Sequence, residues 1–478
     1  MLTFYLLLVD AEALLVATGL TQRANCVVLH PVHMPSVAFY TLGCKLNYSE
    51  SSALSRKMQT AGFAIRGFHE QADVYVINTC SVTDHADKKC KKVVKQALRL
   101  SPQARIVVVG CYAQLKPEEI AGIPGVDLVL GAAEKFNLAE HIVALGNEKV
   151  SGVVKAGAIS EVSGFHTAYS LGERTRTFLK VQDGCDYSCT FCTIPMARGN
   201  SRSDTVKQVV QHARDIAAQG VSEVVLTGVN LGDFGLRNGT GSDESFYELI
   251  CALEQTDIQR FRISSIEPNL LTPAIIDHVA DSKKFVPHFH IPLQSGSNKM
   301  LRAMRRRYQR ELYADRVQQI KEKMPHCCIG VDVITGFPGE THADFLDTYY
   351  FLQDLDISYL HVFTYSERAN TLAAEMPDAV PQKIREERTT QLRSLSEKKK
   401  RAFYEQHLGQ QRPVLFEEET DGEWMFGFSD NYIRVKTHYD PLLVNEIANV
   451  RLAEVDADGH MLSDGIDILH AHTLTLLS

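Results

Sequence analysis

Short apolar runs alternate with helix-length amphipathic segments along most of this chain, and the pattern changes twice. Residues 37–42, 74–78, 105–110 and 126–130 read as strands, with helices predicted over 49–62 and 84–100. Strands and helices in alternation predict a parallel sheet with helices packed on it. Residues 146–172 carry Gly, Ser and other small side chains and read as a connector. A second α/β series follows, with strands expected at 177–182, 223–227, 261–265, 288–293, 330–335 and 359–364. Six such units predict a partial (β/α)6 barrel, open on one side, rather than a complete eight-fold one. A charged helical stretch over 381–404 leads into short strands at 413–416, 432–435 and 447–452. The expected class is therefore α/β, with an open parallel α/β sheet domain over 34–145, the partial barrel over 171–405 and a small all-β module over 406–478.

The first 33 residues fit this pattern poorly. Residues 1–20 are apolar, but Asp10 and Glu12 interrupt the run and no positive segment precedes it. That is too broken for a membrane span, and a secretory signal would export a protein whose cysteines call for the cytosol. Residues 1–33 are expected to be a non-structural extension, with Met34 as an alternative start of translation.

Composition narrows the function. In 478 residues, 45% of them hydrophobic, a formal net charge of -8 argues against nucleic-acid binding through a bulk positive field. Any RNA contact must come from local basic patches. Eleven cysteines without secretory context point to a reducing cytoplasm, no membrane and metal chemistry.

Three of those cysteines lie in the run Gly184-Cys-Asp-Tyr-Ser-Cys-Thr-Phe-Cys192. Cys185, Cys189 and Cys192 can converge on one centre. Three thiolates on a [4Fe–4S] cluster leave one iron free for a small molecule. Structural zinc wants four ligands, and no fourth Cys or His lies nearby. Free thiols are the remaining reading; a disulfide framework suits neither the odd count nor the length. The Cys-x3-Cys-x2-Cys spacing, with Phe191 before the last Cys, is similar to the signature of the radical S-adenosylmethionine (SAM) superfamily.

A second trio is spread more widely. Cys44 follows the first predicted strand, Cys80 the second and Cys111 the third. The carboxyl ends of parallel strands share one edge, which is where ligands bind in open α/β sheets. Gly43, Thr79 and Gly110 precede these cysteines, and small residues there allow close approach of a bulky group. The edge again offers a three-ligand iron–sulfur site. Cys26, Cys90, Cys251, Cys327 and Cys328 have no such placement and read as structural.

A Cys-rich α/β domain, a radical SAM barrel and a terminal β module, in that order, resemble the radical SAM methylthiotransferases. The resemblance covers residues 34–478, and the last module resembles their TRAM domain. The segments Thr41-Leu-Gly-Cys-Lys-Leu-Asn47, Asn78-Thr-Cys-Ser-Val-Thr-Asp84, Gly110-Cys-Tyr-Ala-Gln114, Ser264-Ser-Ile-Glu-Pro268 and His361-Val-Phe-Thr-Tyr-Ser366 look like the branch acting on tRNA threonylcarbamoyladenosine (MtaB type). The resemblance implies methylthiolation of C2 of N6-threonylcarbamoyladenosine at position 37, in the anticodon loop of tRNA. It implies two [4Fe–4S] clusters and two SAM molecules. One SAM methylates a sulfur held at the Cys44/Cys80/Cys111 cluster. The other is cleaved at the Cys185/Cys189/Cys192 cluster to the radical that attacks C2. A low-potential electron donor and a sulfur donor are implied as partners. The alternative within the family is isopentenyladenosine at the same position; outside it, a zinc-binding RNA-interaction protein without catalysis.

Other residues are read with two meanings each. Gly336, in Gly-Phe-Pro-Gly-Glu340, is expected beside SAM or simply in a tight turn. Gln294 and Ser295 end another strand and are expected to touch SAM. Glu267 is expected to bind SAM or a ribose hydroxyl, or to be a solvated carboxylate. Arg198 and Arg202 follow the cluster loop, where they could hold the SAM carboxylate, an RNA phosphate or a surface salt bridge. Lys299, Arg302, Arg306 and Arg310 recur at helical spacing as a basic stripe for phosphate, or as a solvated face. From Leu408 onward four basic residues face thirteen acidic ones, so RNA binding there is expected to rest on Arg434 and Lys436.

Overall fold

In a computed structural model the described residues are 34–80, 84–146, 150–162, 164–172, 175–236 and 244–468. The expected extension at residues 1–33 lies outside them. Pro35–Ser478 forms one compact unit.

The first sheet is wholly parallel. Its strands are β1 (Ser36–Thr41), β2 (Ala64–Arg66), β3 (Val74–Thr79), β4 (Arg105–Gly110), β5 (Leu128–Leu130) and β6 (Val153–Lys155), in the order β2-β1-β3-β4-β5-β6. Strand period two sends alternate side chains to opposite faces, and here both faces are apolar. Tyr75, Ile77, Ile106 and Val108 pack against Val93, Val94 and Ala97 of helix α2 (Asp84–Leu100). Val74, Val76, Val107 and Val109 pack on the other face against Leu54 and Met58 of helix α1 (Lys45–Thr60). Helix α1 begins earlier than its apolar periodicity predicts, directly after Cys44. The expected connector also holds structure: β6 joins the first sheet, and β7 (Ala168–Tyr169) pairs antiparallel with the next strand.

That strand, β8 (Arg176–Lys180), opens the barrel. A two-stranded ribbon of β9 (Gln182–Asp183) and β10 (Arg202–Ser203) brackets the cysteine loop. The barrel continues through β11 (Glu223–Thr227), β12 (Arg260–Ile263), β13 (His288–His290), β14 (Cys328–Thr335) and β15 (Tyr359–Thr364). The pairings form two parallel runs, β8-β11-β12 and β13-β14-β15, joined by bridges from Phe261 to Phe285 and Ser265 to His290. Six parallel strands make the open barrel that the spacing predicts. Leu179, Val224, Leu226, Phe261, Ile263, Phe289, Val331 and Val333 point outward into the helical core. Alternation leaves Phe178, Glu223, Arg262, His288, His290, Asp332, His361 and Phe363 on the lumen side.

The terminal module is a closed five-stranded barrel of β16 (Gln411–Thr420), β17 (Trp424–Ser429), β18 (Arg434–His438), β19 (Ile447–Val455) and β20 (Met461–Ile468). It packs at the amino ends of the barrel strands. Arg260 and Arg262 donate to the carbonyls of Pro413 and Ser429, and Arg176 pairs with Glu417 at 2.7 Å. Tyr432 lies over His288, with ring centroids 4.3 Å apart, and closes the barrel floor.

Candidate functional site

Two sets of cysteines lie at the carboxyl edges of the two sheets. Cys44 follows β1 and Cys111 follows β4, with Cys80 after β3 between them. None is in a disulfide; Cys44 is exposed, Cys80 half-buried and Cys111 buried. The backbone is drawn tight around them. A Cβ at Gly43 (φ 120°) would meet the Cβ of Cys80 at 2.8 Å, and one at Gly110 (φ 100°) would meet the Thr79 carbonyl at 2.4 Å. Only glycine fits both places. Burial pushes the Cys111 thiol above its ordinary value, while Arg198 and Lys135 pull it back.

The second set is a loop held from several sides. Gly184 (φ 71°) turns the chain so closely on Asn200 that a Cβ would meet its carbonyl at 2.0 Å. Thr190 donates from its backbone to Met304 and from its hydroxyl to Ala303. Each sulfur then receives a donor: Tyr187 N–H to Cys185 at 3.4 Å, Ile194 N–H to Cys192 at 3.5 Å, and Arg306 Nη1 to Cys189 at 3.1 Å. Burial pushes Cys185 up to about 12 and Cys192 to about 11, and raises Cys189. At neutral pH these sulfurs are anionic only when a cation takes the place of the proton.

Between the two edges lies a buried charge network that the sequence did not suggest. Glu50 of α1 is fully buried and meets Lys135 at 2.8 Å, Arg198 at 3.1 Å and Lys180 at 3.2 Å. Asp183 also pairs with Arg198 at 2.9 Å and with Arg202 at 3.2 Å. The surrounding cations hold both carboxyls far below the usual range against the opposing effect of burial. Arg198 Nη2 donates to Asn47 Oδ1 at 2.7 Å, and Asn47 Nδ2 donates to the carbonyls of Leu42 and Thr79. Arg198 therefore ties the barrel to the loops carrying Cys44 and Cys80. It is spent on these partners, so the expected contact with a SAM carboxylate is corrected. No local signal marks Glu50; only its tertiary neighbours identify it.

The other expected residues divide. Glu267 stands at the barrel cysteines, paired with Arg306. Arg306 is the main correction: its side chain is 4% exposed, so it faces the cysteines and not an RNA phosphate. The predicted stripe is broken because the helix Asn298–Ala303 ends, Arg305 turns left-handed (φ 55°), and the next helix starts at Arg310. Arg302 is exposed, with no ion pair to any described residue. Ser295 is fully buried against Thr348 and Ser297. Gly336 stands in a tight turn: φ is 76°, its N–H donates to Glu340, and Arg385 packs where a Cβ would stand. Gln294 is half-buried at a left-handed φ of 71°. Phe191 packs edge-on to Phe337. Lys436 pairs with Asp456 at 3.2 Å, and Arg434 lies 4.7 Å from the Phe426 ring centroid.

Comparison with known proteins decides the family. The model described as uncharacterized protein family UPF0004 matches residues 36–131, and the radical SAM superfamily model matches 179–352. The threonylcarbamoyladenosine tRNA methylthiotransferase MtaB of Bacillus subtilis is 40% identical over 430 residues, 88% of this chain and 94% of its own. The chain belongs to the radical SAM methylthiotransferase family. The Aquifex aeolicus protein of the same name is 39% identical over 84% of this chain and 96% of its own. A tRNA-2-methylthio-N(6)-dimethylallyladenosine synthase of Pelotomaculum thermopropionicum is 32% identical over 87% and 95%. In fold, the chain is similar to the radical SAM methyltransferase TsrM of Kitasatospora setae, with a TM-score of 0.53 and 14% identity over 69% and 72%.

As a methylthiotransferase the chain is an enzyme, and the non-catalytic zinc reading falls. Iron–sulfur and SAM are its cofactors. The donor set fits the former: each sheet edge offers three cysteines outside any disulfide. Zinc–sulfur bonds of about 2.3 Å would draw tetrahedral sulfurs to about 3.8 Å of one another. Among the described residues neither trio has all its sulfurs within 4.8 Å; that spacing is met only by Asp456, Asp458 and His460. No helix among the described residues is long and apolar enough to cross a membrane.

Proposed function

We propose that this enzyme transfers a methylthio group to C2 of N6-threonylcarbamoyladenosine at position 37 of tRNA. Cys185, Cys189 and Cys192 would hold one [4Fe–4S] cluster and Cys44, Cys80 and Cys111 a second, with residues 34–145, 171–405 and 406–478 as the three domains. The observation that carries the reading is the pair of three-cysteine edges locked together through Arg198, Asn47 and Glu50. When bound, an open-iron cluster with SAM supplies radical hydrogen abstraction from a C–H bond that acid–base chemistry cannot reach, and the second cluster carries the sulfur.

The chain's own residues position and shield. Arg306 and the two backbone N–H groups stabilise negative charge on the barrel sulfurs. Glu50, Asp183 and their four cations fix one cysteine edge against the other. The closed floor under the lumen excludes water from that side. A low-potential electron donor, a sulfur donor and a cytoplasmic setting complete the proposal.

The choice of substrate rests on the stronger likeness to the proteins named for threonylcarbamoyladenosine than to those named for dimethylallyladenosine. Nucleoside mass spectrometry of tRNA from a deletion strain tests it. The methylthio derivative of threonylcarbamoyladenosine should vanish and return with the gene. Its persistence, with loss of the isopentenyl counterpart, would reverse the assignment. Anaerobically purified protein should carry about eight irons, falling by about half in Cys44→Ala and in Cys185→Ala.

A further inference from the structure

We propose that Lys45 is the specificity residue of the substrate chamber, its ammonium pairing with the carboxylate of the N6 substituent on the target adenosine. This rests on the threonylcarbamoyl reading above and adds the group that recognises it.

Lys45 immediately follows Cys44 and opens helix α1. A cation there opposes the helix dipole, so the helix itself gains nothing from it. The side chain is exposed and makes no ion pair or hydrogen bond with any described residue. It nonetheless stands among the lumen groups of the barrel, close enough for its charge to act on His288 and His361 and to feel Arg176, Arg262 and Glu223. The charge of a sheet-domain lysine thus acts on groups of the barrel lumen.

The charged groups around it are already committed. Arg262 pairs with Glu223 at 3.0 Å, Arg176 with Glu417, and Asp332 with His290 at 3.0 Å. Among the described residues around it, Lys45 is the cation left without an ion pair. Beside it, His361 and Phe363 project from the lumen face of β15, and Phe363 is 45% exposed. An exposed aromatic ring on a chamber wall suits stacking of an extruded base. The chamber therefore offers an apolar face for adenine and one uncompensated positive charge within reach of what hangs from it.

This arrangement discriminates by chemistry. A carboxylate gains a charge-assisted hydrogen bond from a bare ammonium. An apolar isopentenyl tail in the same place would strip water from that ammonium and return nothing. The competing role for Lys45, offsetting charge on the neighbouring cysteine centre, predicts altered iron content instead.

The test measures binding of reconstituted holoenzyme to anticodon stem-loop RNAs carrying threonylcarbamoyladenosine, isopentenyladenosine or unmodified adenosine at position 37. Wild type should prefer the first. Lys45→Gln should lose that preference by about ten- to a hundred-fold in Kd, with binding of unmodified RNA and iron content unchanged, and Lys45→Arg should keep most of it. Preference surviving in Lys45→Gln overturns the proposal and leaves the substrate assignment standing. Uniform weakening on all three RNAs, or loss of iron, also overturns it. A wild type without preference overturns the proposal and removes its support from the substrate reading, which the nucleoside analysis then decides separately.

Discussion

Arg306 Nη1 donates to the Sγ of Cys189 at 3.1 Å while the other end of its guanidinium pairs with Glu267. One side chain thus serves both a cysteine sulfur and a carboxylate. Burial raises the Glu267 carboxyl above its usual range, and Arg306 works against that rise. The barrel cysteines are therefore flanked by an ion pair that neither partner could leave without stranding the other.

Arg306→Gln should accordingly destabilise the protein by about 3–5 kcal/mol, the usual consequence of breaking a buried pair from one side. The double variant with Glu267→Gln should be less unstable than the two single effects added together. Denaturant unfolding measures the cycle, and strict additivity would refute the coupling.

Glu50→Gln should be similarly severe, about 3–5 kcal/mol, because Lys135, Lys180 and Arg198 would face one another without their shared anion. Limited proteolysis should find the sheet domain opened relative to the barrel. An unchanged denaturation midpoint would show that the network is not what joins them.

Gly110→Ala should empty one centre and spare the other. The added Cβ would lie 2.4 Å from the Thr79 carbonyl at a φ of 100°, so the turn carrying Cys111 must move. Iron analysis should fall by about four irons of about eight, with the signal of the barrel cluster retained in electron paramagnetic resonance. Full iron occupancy would count against Cys111 as a ligand.

Acidity should weaken the fold through His288. It is buried, and burial together with Arg262 and Lys45 holds its imidazole well below 6.5. Above the unfolded value near 6.5 both states are neutral, and the stability is fully present. As pH falls from there toward the lowered folded value, only the unfolded chain takes up a proton. Stability then drops by about 1.4 kcal/mol per pH unit for this residue. Melting curves from pH 7 to 5 should show the loss, and His288→Gln should have a shallower slope; an equal slope would exclude His288 as the source.

Most strands of the two parallel sheets, and the placement of six cysteines at their carboxyl ends, were legible because they depend on local signals, an apolar run and the turn that ends it, whereas β17 and β20 of the terminal barrel went unpredicted. Strands of two or three residues such as β7 and β6 were not, since such short runs resemble a connector. The largest errors concern charge. Arg306 sat at helical spacing with Arg302 and Arg310, and a left-handed Arg305 breaks the helix that spacing assumed. Arg198 and Glu50 lie far apart in sequence and meet only because α1 packs on β8. Residue type said that these side chains were charged; only the fold says which of them water never reaches.

Tyr432 on His288, and Arg262 reaching the carbonyl of Ser429, make the terminal module the underside of the catalytic barrel. Cutting the chain ahead of Gln411 would therefore puncture the reaction vessel. A truncated enzyme that cleaves SAM without coupling it to product would be leaking through its base, and such uncoupling is no measure of tRNA affinity.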